Sequence, residues 1–258
     1  ESLHILHDAE ISMNKNELVK EWLSRPEGYQ SVGKSQSSLA KRTGNESPKT
    51  NPYYGRWMES IQNELSSQSI AQIFLPGTHE ASAYNLTDIP SPDEDPTIRR
   101  YAEKYGKIYS WIVKPWSTNQ VLNTYEQLQR GVRLLDWRIS YREGASLSDR
   151  AHTKTPSKSG ESLYYSAHGL WANNLEAMLD ELSQFLNETT HEYVMLEISH
   201  YYDMTPERFE DMQALIHKKI GSRMIMYSDF PHIPKEDFFE VLTFEDLLQQ
   251  SDQKKRVF

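Results

Sequence analysis

The 258-residue chain carries 37 acidic against 28 basic side chains, a net charge of -9 at neutral pH, and no cysteine. The missing thiols exclude disulfide scaffolds, thiolate metal sites and a cysteine nucleophile, and the net charge opposes nucleic-acid binding. Mean hydropathy is only -0.73, yet aromatics reach 11%, which is material enough for a core, and no run approaches the roughly 18 apolar residues of a membrane span.

Residues 1–52 read as a polar extension or linker. Positions 25–52 are rich in Ser, Gly, Lys, Asn and Pro, and only 17–23 carry the amphipathic pattern of one short helix. The folded domain is expected over 53–258, opening with a helix at about 57–65. An apolar run at 70–75 stops at Pro76-Gly77 and reads as a buried strand. Helices are predicted at 98–113 and 125–130, a second strand at 132–139, and a Ser-, Lys- and Gly-rich loop over 142–162. A third strand at 163–167 ends at His168-Gly169. Leu175, Met178, Leu179, Leu182, Phe185 and Leu186 then fall on one helical face. A fourth strand follows at 193–198, a helix opens at Thr205-Pro206, another covers 244–248, and the final Arg256-Val257-Phe258 reads as the start of a strand.

Strands separated by helices or long loops predict an α/β fold with a parallel sheet of barrel type. About five strands are expected where a full barrel needs eight, so the sequence reads as a fragment, inactive alone. Its start at Glu1 leaves the compartment open, cytoplasmic or secreted.

The polar residues gather at strand ends. His79 and Glu80 follow the first strand, Asp136 and Arg138 share a face of the second, His168 closes the third, and Glu197 and His200 close the fourth. Two histidines can divide base and acid work near neutral pH, a carboxylate orients an imidazole, and a guanidinium fork suits a phosphate. That set fits cleavage of a phosphodiester by an internal hydroxyl, without a metal or other cofactor. The aromatic segment 105–116, beside Lys104, Lys107 and Lys114, reads as core packing in preference to a lipid-facing stripe.

Three blocks carry a resemblance: Phe74-Leu75-Pro76-Gly77-Thr78-His79-Glu80, then Gln127 through Arg138 (QLQRGVRLLDWR), then Ala167-His168-Gly169. Together with Trp116 to Gln120 and Glu197 to Tyr201, they resemble the X domain of phosphatidylinositol-specific phospholipase C, most closely its X-domain-only group. The resemblance implies a truncated TIM-type barrel and a metal-independent phosphoric diester hydrolase or lyase acting on phosphatidylinositol-type lipids. The expected partner is a phosphoinositide or glycosyl-phosphatidylinositol lipid, met peripherally at a membrane surface. It casts His79 as general base, His168 as general acid and Arg138 as the phosphate-stabilising cation, where calcium-dependent relatives carry an acid. Asp136 and Glu80 are the supporting carboxylates. Glu197 and His200 are candidates for headgroup binding, weighed against the hydrogen-bonding role in the core that is the favoured reading. The family pattern has Asp or Asn, then Ser, where Glu80 and Ala81 stand; the extra methylene is expected to displace Glu80 from His168. A further aspartate supporting the first histidine is expected beyond Phe258. Two other functions compete: a phosphoinositide-binding protein without turnover, and a metal-dependent glycerophosphodiester phosphodiesterase, disfavoured because Asp136-x-Arg138 replaces the metal-holding Glu-x-Asp pair.

Overall fold

The computed structural model describes residues 54–94, 96–143, 163–250 and 254–258. The expected extension at 1–52, with its helix at 17–23, and nearly all of the expected loop at 142–162 lie outside the described residues. Within them the fold is α/β, built on a curled, mixed sheet of five strands. These are β1 (Gly77–Thr78), β2 (Leu134–Tyr141), β3 (Tyr164–His168), β4 (Leu170–Asn174) and β5 (Met195–Tyr202).

β2 is the axis of the arrangement. β5 runs parallel along one edge, from Leu134 opposite Met195 to Ser140 opposite Tyr202. The other edge is shared. β1 pairs in parallel with Leu134 and Leu135, while β3 pairs antiparallel with Ile139, Ser140 and Tyr141. The C-terminal ends of β1 and β3 therefore meet head to head beside residues 136–138 of β2. Beyond β5, among the described residues, Val257 forms only isolated parallel bridges with Val194 and Met224 where the terminal strand is expected.

Alternation along β2 separates core from site. Leu135, Trp137 and Ile139 are fully buried and pack on the predicted apolar face of a helix, α4 (Leu175–Glu188), whose six apolar side chains are all buried. Each such side chain contributes on the order of 1.5–3 kcal/mol by leaving water. Asp136 and Arg138, at the intervening positions, point to the opposite face.

Several expectations are corrected. The third strand is antiparallel, not parallel, and continues into an unforeseen partner, β4. A parallel return needs a crossover helix with an apolar face, and the polar sequence of 142–162 offers none. The run at 70–75 is not a strand: Ser69 and Gln72 form a capping box that closes a turn of 3₁₀ helix over Ile70–Gln72, and Phe74 is 91% exposed. The helix expected at 98–113 divides into α1 (Pro96–Tyr105) and α2 (Lys107–Ser117) at Gly106, whose φ of +52° interrupts the helical path. The opening helix likewise breaks at Ile61, giving short pieces at Trp57–Ser60 and Gln62–Leu65. α3 (Thr124–Gln129) forms where expected, fixed by an Asn123–Glu126 capping box. The aromatic segment splits: Tyr109 is buried in a small cluster with Leu170, whereas Trp111 and Trp116 stand exposed.

Candidate active site

Five side chains predicted from sequence converge where β1, β2 and β3 meet. His79 and Glu80 leave the end of β1 and are stitched to β2 by backbone. The Glu80 N–H donates to Asp136 Oδ2 at 3.1 Å, and the Ala81 N–H donates to the Asp136 carbonyl at 2.7 Å. Glu80 holds a φ of +50°, a left-handed conformation that costs a non-glycine residue about 1 kcal/mol or more. Such strain persists only where the surroundings over-determine it, and here they do.

The Glu80 carboxylate, 3% exposed, is the hub. Its Oε1 lies 2.6 Å from Arg138 Nη2 and 3.5 Å from His79 Nε2, and its Oε2 lies 2.7 Å from His168 Nε2. Asn119 donates to Oε2 from its side-chain amide. The displacement expected from the extra methylene is not seen. Glu80 reaches His168 at an ordinary charge-assisted distance. Both imidazoles thus touch one carboxylate, while Arg138 Nε is buried with no hydrogen-bond partner among the described residues.

The two histidines differ in their surroundings. His168 is mostly buried, with Nε2 against Glu80 and Nδ1 2.9 Å from the Ser117 carbonyl oxygen. Both neighbours are acceptors, so the ring satisfies them only as imidazolium. Burial opposes that charge, but the Glu80 hydrogen bond, the Ser117 carbonyl and the Glu80 charge outweigh it and raise the pKa above 6.5. Burial likewise pushes Glu80 up, and the His168 hydrogen bond with the charges of His168, Arg138 and His79 reverses this, holding it below its ordinary value. His79 is the open partner, with 72% of its side chain exposed and Nδ1 3.0 Å from Asp136 Oδ2. Asp136 is pulled upward by burial and more strongly downward by the Ser199 hydroxyl, the Glu80 N–H, His79 and Arg138.

The remaining predicted residues lie on β5 beside this hub and are not among the groups that hold the Glu80 carboxylate. Glu197 is exposed, opposite Asp136 in the β2–β5 register. His200 is also exposed; its Nδ1 lies 3.0 Å from Ser199 Oγ, and its ring stacks on Tyr202. Sequence reasoning assigned no role to Ser117, which ends α2, or to Asn119 and Gln120, which follow it; they hold His168, Glu80 and, through the His79 carbonyl, the base loop. It also passed over Ser199, whose hydroxyl donates to Asp136 Oδ1. Uncharged residues in loops carry no spacing signal; only the family resemblance flagged the 116–120 stretch. Among the described residues, no group of three or more His, Asp or Glu is arranged to hold a metal ion. No helix among them is long and apolar enough to cross a membrane.

No protein-family model matches the chain. Curated relatives do. The chain is 23% identical over 173 residues to PI-PLC X domain-containing protein 3 of Danio rerio, covering 66% of this chain and 49% of that protein. It is 23% identical over 170 residues to the Homo sapiens protein of the same name, covering 65% and 49%. To PI-PLC X domain-containing protein 2 of Homo sapiens the identity is 25% over 170 residues, covering 65% and 50%. The chain thus spans about half the length of the curated relatives it matches. Among solved structures, phosphatidylinositol-specific phospholipase C from Listeria monocytogenes aligns with a TM-score of 0.46 at 17% identity, over 80% of this chain and 56% of that one. The S. aureus phosphatidylinositol-specific phospholipase C aligns with a TM-score of 0.46 at 15% identity, over 80% and 52%.

Proposed function

We propose that this chain, a homologue of the PI-PLC X domain-containing proteins, carries the catalytic half of a phosphodiesterase that cleaves phosphatidylinositol-type lipids by attack of an internal hydroxyl. The observation that carries the reading is the asymmetry of the two imidazoles around one Arg-bound carboxylate: His168 is held between two acceptors as a proton donor, and His79 is open and oriented through Nδ1 by Asp136. With a proton on the Nδ1 that faces Asp136, neutral His79 keeps its lone pair at Nε2, and the 3.5 Å to Glu80 Oε1 is too long for a firm hydrogen bond to occupy it, the arrangement of a general base.

In this reading His79 Nε2 takes the proton of the inositol 2-hydroxyl as its oxygen bonds to phosphorus. The phosphorus–oxygen bond to diacylglycerol breaks, and the departing oxygen takes the place of Glu80 at His168 Nε2 and receives its proton. The products are diacylglycerol and a cyclic inositol phosphate. Arg138 stabilises charge on the non-bridging oxygens, with the guanidinium positions not engaged by Glu80. Glu80 keeps His168 charged until the transfer. Asp136, already paired with His79, meets the need for a carboxylate beside the base that the sequence left to a residue past Phe258. Positive charge comes from Arg138, so the step needs no metal. The lipid is met at a membrane surface, and the exposed Trp111 and Trp116 on α2, with Lys114 between them, are the side chains suited to rest there.

The test is incubation of the whole protein with phosphatidylinositol vesicles, with and without EDTA. EDTA-resistant release of cyclic inositol phosphate supports the proposal. Binding without turnover points to a phosphoinositide-binding protein, and EDTA-sensitive cleavage of glycerophosphodiesters to the metal-dependent class.

A further inference from the structure

The pairing of β2 with β5 is not regular. Trp137 lies opposite Ile198, but Arg138 lies opposite His200, so Ser199 is the extra residue of a β-bulge. In a regular register His200 would stand opposite Ile139, on the apolar face that packs against α4. The bulge instead turns both Ser199 and His200 to the face of Asp136 and Arg138. Bulges beside functional sites re-aim side chains in this way.

The re-aimed residues form a directed chain. Ser199 Oγ lies 2.5 Å from Asp136 Oδ1, and His200 Nδ1 lies 3.0 Å from Ser199 Oγ. Asp136 Oδ2, on its other side, faces His79 Nδ1 at 3.0 Å. An ionised carboxylate only accepts, so the single Ser199 proton goes to Asp136. The Ser199 oxygen can then only accept from His200, which must carry its proton on Nδ1. The count fixes the polarity from His200 through Ser199 to Asp136, and the ionised Asp136 favours a proton on the His79 Nδ1 that lies 3.0 Å from its Oδ2.

We infer that Ser199, set by the β5 bulge, is a positioning residue that locks the Asp136 carboxylate and through it the Nδ1–H tautomer of His79. His200 is the outer member that orients the Ser199 hydroxyl. The assignment rests on the base role proposed above for His79, but the hydrogen-bond order can be read without any turnover.

The experiment is nitrogen-15 imidazole NMR on the whole protein, with Ser199→Ala and Ser199→Thr, beside kinetics on phosphatidylinositol vesicles. In the wild type, neutral His79 and His200 are both expected as Nδ1–H tautomers. In Ser199→Ala, His200 reverts to the Nε2–H form that a free imidazole prefers, and the His79 Nδ1–H resonance moves and exchanges faster. Ser199→Thr, which keeps the hydroxyl, restores both signals. Loss of one hydrogen bond to the charged carboxylate should lower kcat about tenfold with KM unchanged, and Ser199→Thr should recover it. An Nε2–H tautomer at His200 in the wild type, or a His79 resonance insensitive to Ser199→Ala, overturns the inference. If the wild type turns over no phosphatidylinositol, the proposed reaction fails, while the tautomers still decide the chain of hydrogen bonds.

Discussion

Two Arg–Glu pairs lie close together along one strand and behave differently. At the foot of β2, Arg133 and Glu192 are completely buried and joined through Nε at 2.9 Å and through Nη2. Every remaining valence there is taken. Arg133 donates to the carbonyls of Leu128, Val132 and Gly55, and Glu192 accepts from the backbone N–H groups of Met58 and Glu59. Five residues on, Arg138 and Glu80 are also joined, but two imidazoles flank the carboxylate, one of them largely in solvent, and Arg138 Nε has no partner among the described residues. A saturated ion pair fastens the Trp57–Ser60 segment to the sheet. An unsaturated one opens on water through His79 and keeps its charged groups within reach of a ligand. Saturation, more than the pairing itself, separates structure from chemistry here.

Removing the open histidine should have the largest effect. His79→Ala is expected to lower turnover on phosphatidylinositol by about 10²–10⁴-fold while leaving the melting temperature nearly unchanged, because the side chain is mostly exposed. A comparable loss in melting temperature would erase the distinction between the two pairs. The lower pair should give the converse. Glu192→Gln strands a buried guanidinium and should cost about 3–5 kcal/mol in denaturant unfolding, with turnover per folded molecule unaltered.

A subtler test uses pH. The raised pKa of His168 means its stabilising charge is fully present below its unfolded value of 6.5 and is lost as pH rises through the folded value. The depressed Glu80 contributes above its unfolded value of 4.5 and is lost as pH falls through its folded value. The pair is therefore strongest between those limits, and the basic limb of a rate profile should fall above pH 6.5. Glu80→Gln removes the partner charge and should move that limb to lower pH, which a pH–kcat profile reads directly. Smallest of all, Glu80→Asp should reduce turnover a few-fold, because the structure already seats the longer side chain 2.7 Å from His168. A gain in rate would show that Glu80 sits badly for catalysis.

Much of this was legible in the sequence, and the reasons it stopped are physical. The face of α4 was readable because six apolar residues at helical spacing admit one interpretation. His79, Glu80, Asp136, Arg138 and His168 were readable because strand ends punctuated by Gly, and a carboxylate two residues from an arginine, imply a shared face. The direction of β3 was not, since pairing depends on the polar connection at 142–162 more than on the strand itself. The strand expected at 70–75 failed because the local Ser69 cap competes with extended structure. The Ser199 bulge was invisible because a one-residue register shift changes no composition. The contacts from Ser117 and Asn119 were hidden for a similar reason: a backbone carbonyl has no sequence signature, and a loop amide gains meaning only from what faces it.

The most direct measurement follows phosphatidylinositol vesicles by phosphorus NMR in the presence of the whole protein, of His79→Ala and of His168→Ala. An inositol 1,2-cyclic phosphate resonance should grow in with the wild type, persist under EDTA, and be absent with either variant. Wild-type rates in both variants, or a first product that is already acyclic, would contradict the division of base and acid between the two imidazoles.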